Sequence, residues 1–229
     1  MRNRLTSMAL VLLLTATCTA FGAGGGQMPS SMPAPSRAPA TPEDQARNDY
    51  NDGVRLVEKA DRLSADASRQ VDERKQSKTR SKAGQAYAAA LKKFVHATQL
   101  QPSNYHAWNY VGYTSRKMGR YEDALAAYDR ALGLKPDYAE AIEYRGHAYL
   151  GLDRLSDAKA AYLALFASHR QLASTLLAAM QAWVGEHRSN AAGVDTATLE
   201  SFATWVSERS TIASQTASLT REGAASAWR

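Results

Sequence analysis

Residues 107–136 read AWNYVGYTSRKMGRYEDALAAYDRALGLKP, and residues 141–170 read AIEYRGHAYLGLDRLSDAKAAYLALFASHR. Laid over one another at an offset of 34 residues, they share a skeleton. Ala107, Tyr110, Gly112, Arg120 and Asp123 recur as Ala141, Tyr144, Gly146, Arg154 and Asp157. Ala124, Ala126, Ala127 and Tyr128 recur as Ala158, Ala160, Ala161 and Tyr162. A period of this length marks stacked helical hairpins, each burying its apolar side on the next. Gly112 and Ala124 let two backbones approach, and Trp108 and Tyr128 fill the space between hairpins. Gly119 supplies the left-handed residue that ends the first helix, and Pro136 stops the second.

These residues resemble the tetratricopeptide repeat (TPR) family, in particular exported bacterial members. The family's pattern sets a large, an aliphatic and a small residue on the first helix, filled here by Trp108, Val111 and Gly112. Alanine, aromatic and alanine follow on the second helix as Ala124, Tyr128 and Ala131, and Pro136 closes the unit. The next unit keeps Gly146, Tyr149, Ala158 and Tyr162, but Ile142 replaces the tryptophan, Arg145 stands at an aliphatic position, and Arg170 falls where proline belongs. The resemblance implies an all-α solenoid of about three hairpins plus C-terminal capping helices, and a protein that binds partners rather than performing chemistry.

The clear repeats occupy 105–138 and 139–172. Upstream, Ala90, Phe94, Ala97 and Pro102 precede Ala124, Tyr128, Ala131 and Pro136 by the same interval, so 83–102 read as the second helix of a degenerate, extended repeat over 41–104. Its first helix starts at Thr41-Pro42-Glu43-Asp44, a capping hydroxyl followed by proline and two acids. Val54, Val57, Ala60, Leu63, Ala67 and Val71 continue it at helical spacing. Carried to Glu73, this helix would be roughly 45 Å long and exceed its partner, leaving the hairpin stretched, or broken near 63–68. Gly53 is its candidate close-approach position. Downstream, the capping helices fall within 169–220. One runs over about 169–187 and carries Leu172, Leu176, Met180 and Trp183. Another is capped by Asp195, with Val194 stapled onto Leu199, and runs to roughly Thr220, leaving 221–229 as a tail.

The helical domain is expected over 41–220 as about eight helices. Residues 1–23 read as an export signal: Arg2 and Arg4 precede an apolar run from Leu5 to Ala20 that is short for a membrane span. Residues 24–40 are rich in Gly, Pro, Ser and Ala, a tether composition. The chain is therefore expected to be periplasmic or secreted. Cys18, the one cysteine, sits where lipoproteins are acylated, although Thr17 replaces the usual small residue before it. Either Cys18 anchors the protein to a membrane, or it leaves with the signal and the remainder has no disulfide.

The formal charge is +6, and about +4 without Arg2 and Arg4. The densest run, Arg69 to Lys82, holds six basic and two acidic residues. It reads as the solvated tip of the long hairpin, with phosphate contact as the other reading. Export argues against nucleic acid as a partner.

The five histidines lack metal-ligand spacing, no phosphate loop lies inside the fold, and no local nucleophile signature occurs. A non-enzymatic protein without a cofactor or metal is expected.

In the family, the first helices of successive hairpins line the concave groove. The positions left free by packing are His106, Asn109, Tyr113, Arg116 and Lys117 on one helix, and Glu140, Glu143 and His147 on the next. Such a mixed wall suits an extended peptide or helix from a protein partner. Glu140 and Glu143 stand where a terminal-carboxylate clamp would need positive or amide groups. The competing expectation is a self-associating homo-oligomer, joined through the end helices or the long hairpin.

Overall fold

The computed structural model describes residues 40–190 and 193–226, with side chains as far as residue 216. The export-signal reading, the tether through residue 39 and Cys18 lie outside the described residues. Within them the chain is eight α-helices and no strand.

Helix α1 (Pro42–Arg69) begins as its sequence dictates. The Thr41 hydroxyl accepts from the Asp44 amide at 3.1 Å, and the Asp44 carboxylate reaches back to Thr41, a complete capping box. The helix is continuous through 63–68 and ends at Arg69, not Glu73. Its partner α2 (Glu73–Leu100) opens at Asp72, whose carboxylate accepts from the Lys75 amide at 3.0 Å. Both helices have 28 residues, about 42 Å each, so α1 does not outrun its partner. The sequence reading placed α2 ten residues too late because the charged run 73–82 carries no apolar period, yet Lys, Arg and Gln are good helix formers. Val71, read as part of the apolar stripe, lies in the turn and is 97 % exposed.

Helices α3 (Tyr105–Lys117) and α4 (Tyr121–Leu134) form the next hairpin, and α5 (Ala139–Leu150) and α6 (Leu155–Ser168) the third. Gly119 adopts φ 76°, and the Arg120 amide donates to the Ser115 carbonyl at 2.9 Å, closing α3 in a Schellman turn. One period later Asp153 takes φ 55° and the Arg154 amide donates to the Tyr149 carbonyl at 2.9 Å, so the turn recurs without its glycine.

The close crossings are visible at two glycines. A Cβ on Gly112 would come closer than 3.0 Å to the ring of Tyr128, and one on Gly53 would crowd Phe94 in the same way. The aromatics of α2 and α4 thus press on the backbone of their own first helices, whereas Gly146 of the third hairpin is crowded by Leu176 of α7. Arg145, out of place in an aliphatic position, swings its guanidinium to Asp129 of α4 at 2.8 Å.

Helix α7 (Arg170–Ser189) follows α6 with His169 alone between them, so Arg170, at the position of the repeat's proline, is the first residue of α7. The Arg170 guanidinium packs on the Phe166 ring at 3.7 Å. Met180 occupies the position one period after Gly146 and is fully buried, so the close crossing is not repeated. The last helix, α8 (Thr196–Ser226), is capped by Asp195 and runs past Thr220 through part of the expected tail. Its Leu199, Phe202 and Val206 close the core over Leu177, Met180 and Trp183, with Val194 packed alongside.

Candidate functional site

The first helices α1, α3, α5 and α7 stand side by side, with direct contacts from α3 to α5 and from α5 to α7. The face they share is the one on which the sequence places a groove. Its residues do not all remain free. Asn109 and Glu143 are equivalent positions of successive repeats, and both are only 3 % exposed. The reading that packing leaves them free is therefore corrected: the first helices approach closely enough to cover that register.

Asn109 directs its amide toward the Tyr138 hydroxyl at 3.5 Å, and its Oδ1 has no partner among the described residues. Glu143 pairs with His147 one turn later at 2.6 Å. Tyr113 donates its hydroxyl to Asp61 of α1 at 2.8 Å, and Lys117 approaches the same carboxylate at 3.6 Å. Asp61, which also accepts from Tyr87, fastens α3 to the long hairpin. Arg116 lies half-buried with its guanidinium 5.3 Å from the Tyr113 ring and 5.4 Å from the Tyr144 ring. His106 and Glu140 are exposed, the former 3.1 Å from the Tyr138 hydroxyl.

What the structure brings together here is aromatic. Tyr50 of α1 meets Tyr110 of α3 edge-on at 5.7 Å, Tyr110 meets Tyr113 at 6.3 Å, and Tyr113 meets Tyr144 of α5 at 5.2 Å. All four rings are half-buried, so each presents an edge or face outward. The recurrence of Tyr110 as Tyr144 was in the sequence as a sign of the frame rather than of a surface. Tyr50 carried no signal, because the degenerate repeat offers no register for it.

Burial pushes the Tyr50 hydroxyl up to about 12. Burial, then the hydrogen bond to Asp61, raises Tyr113 further, and burial raises Tyr138. These hydroxyls remain neutral donors across physiological pH. Burial, then the nearby Lys135 charge, lowers His106 below the ordinary imidazole value, which favours a neutral ring at pH 7. The face therefore offers stacking surface, hydroxyl donors and the Arg116 cation. Among the described residues no three His, Cys, Asp or Glu side chains gather as a metal site, and no helix is long and apolar enough to cross a membrane.

Residues 112–153 match the family model of the TPR repeat, a span from the middle of α3 to the turn after α5. No curated protein matches the chain. Fold and match together define an all-helical, TPR-type solenoid, a class whose repeats generally mediate protein–protein interaction and are typically non-enzymatic.

Proposed function

We propose that this chain is a non-enzymatic adaptor that holds an extended peptide or helix of a protein partner against the face shared by α1, α3 and α5. The supporting observation is the continuous strip Tyr50–Tyr110–Tyr113–Tyr144 with Arg116 laid over two of its rings. Tyrosine and arginine dominate binding energy at interfaces, and rings already held by neighbours lose little entropy on binding. His106 and Glu140 border the strip and choose among partners by charge and hydrogen bonding. The site of action in this proposal is the cell envelope, reached by the signal in residues 1–23. Cys18 is either a lipid anchor or is lost with that signal.

A second reading, self-association, rests on α8. It is 31 residues long against 20 in α7, and Ile212 is exposed on it. Photo-crosslinking from position 106, compared with outward-facing position 126, tests the first reading. We expect partner crosslinks at 106 alone, reduced at least tenfold, about 1.4 kcal/mol or more, by Glu140→Lys at unchanged thermal stability. Crosslinks to a second copy of the chain, together with a dimer in light scattering that Ile212→Asp dissociates, would replace the adaptor with the oligomer.

A further inference from the structure

Helix α2 carries Arg74, Lys75, Lys78, Arg80, Lys82, Lys92 and Lys93 against one acid, Glu73. The basic residues are not scattered around it. At 3.6 residues per turn, Arg74, Lys78 and Lys82 fall within an arc of about 80°, and Lys92 returns to the bearing of Arg74. That arc lies opposite the buried stripe of Ala83, Ala90 and Phe94, so it faces outward. Arg74, Lys78 and Lys82 are all exposed and have no ion-pair partner among the described residues.

Apart from Glu73, which is exposed beside Arg74, the aspartates along the hairpin are already engaged. Asp66 pairs with Arg69, Asp72 with Lys75, and Asp49 and Asp52 with Lys93 at the base of the hairpin. The hairpin also projects. Its helices are twice the length of α3 and α4, and α3 ends beside Asp61, Leu63 and Ala83, so the tip of the hairpin overhangs it by roughly 10–15 Å. At its apex Val71 is 97 % exposed, between Gln70 and the acids Asp72 and Glu73, with Arg69 and Arg74 beyond them.

We infer that the outer face of α2 and the apex at Val71 dock on an anionic phospholipid surface. A flat array of phosphates complements a straight row of cations, and the projecting hairpin reaches it without the body interfering. Val71 enters the headgroup boundary, where an apolar side chain is favoured. No aromatic side chain stands on this outward arc, so it lacks the stacking platform that single-stranded nucleic acid uses. The inference is independent of the peptide-binding face, which lies on α1, α3 and α5.

The test is co-sedimentation of the full chain with phosphatidylcholine vesicles and with mixed phosphatidylcholine–phosphatidylglycerol vesicles. Binding should require phosphatidylglycerol and weaken as salt rises. Each basic residue contributes about fivefold to partitioning at an anionic surface, so Arg74→Gln with Lys78→Gln and Lys82→Gln should lower it about a hundredfold. Val71→Ser should lower it severalfold more, with helicity unchanged in both variants. Equal binding to both vesicle types, unaffected by the triple change, assigns the attachment to the apolar run of residues 5–20 and overturns the inference. Absence of binding to the anionic vesicles overturns it as well. If a DNA duplex at equal phosphate displaces the protein from the vesicles and its own binding fails in the triple variant, the stripe reads nucleic acid and the lipid assignment falls.

Discussion

Gly112 and Gly119 bracket the end of α3, and the two resist substitution for different physical reasons. At Gly112 a new Cβ meets the Tyr128 ring closer than 3.0 Å, and Tyr128 is fully buried with nowhere to retreat. Alanine there gains about 1 kcal/mol of helix propensity but loses about 1–3 kcal/mol to overpacking. With three ring atoms inside the contact distance the loss prevails, and we expect Gly112→Ala to destabilise by about 1–2 kcal/mol net. At Gly119 nothing lies within 4 Å of the added methyl, so only the φ of 76° is strained, and Gly119→Ala should cost about 1 kcal/mol. Paired denaturant titrations check both. A truncation of Tyr128 to leucine should rescue Gly112→Ala and leave Gly119→Ala unchanged; rescue of neither would show that the Gly112 crossing is not steric. The roles of these glycines were legible in the sequence because a missing side chain at a fixed repeat position has few explanations. Asn109 and Glu143 were not legible as buried residues. Polar residues on the inner face of a helix look free until the distance between neighbouring helices is known.

Among the elements, the α1–α2 hairpin departs most from expectation, and charge holds its base together. Asp49 on α1 is mostly buried and receives Lys93 at 2.7 Å and the His96 ring, both from α2. Burial alone would raise its carboxyl, but the Lys93 and His96 hydrogen bonds outweigh that and hold it below the usual aspartate range. A folded-state value below the unfolded one gives stability that is present above about pH 4 and is lost as pH falls through the lowered value. Asp49→Asn should therefore cost about 1 kcal/mol near neutral pH, and the difference from the parent should close below about pH 4. Thermal melts across that range measure it, and a constant offset at every pH would count against the linkage. The start of this hairpin was readable because Thr41, Pro42 and Asp44 form a local motif. The start of α2 was not: a helix that overhangs its neighbours has no core there to pattern its sequence, and residues 73–82 show only propensity.

Across the whole molecule, burial is divided among successive clusters rather than gathered in one centre. One joins α1 and α2 to α3 through Phe94 and Val111, another centres on Tyr128, and the largest spans α5 to α8. In such a chain of interfaces each end must be closed, and α8 closes the last. Phe202 is 1 % exposed, meets Trp183 edge-on at 5.3 Å and stacks on Trp205 at 6.4 Å. Its truncation to alanine removes a large ring from a filled site, at an expected cost of about 3–5 kcal/mol. Because the interfaces are serial, that loss should fall first on α7 and α8. Amides of α7 should exchange with solvent at least a hundredfold faster in Phe202→Ala, about 2.7 kcal/mol, while those of α3 keep most of their protection. Ile212→Ser, further along the same helix at a position 36 % exposed, should change neither set by more than about 0.5 kcal/mol. Equal acceleration throughout the protein on losing Phe202 would instead mean that the repeats unfold as one unit, and that α8 stabilises the distant hairpins as strongly as the helix it covers.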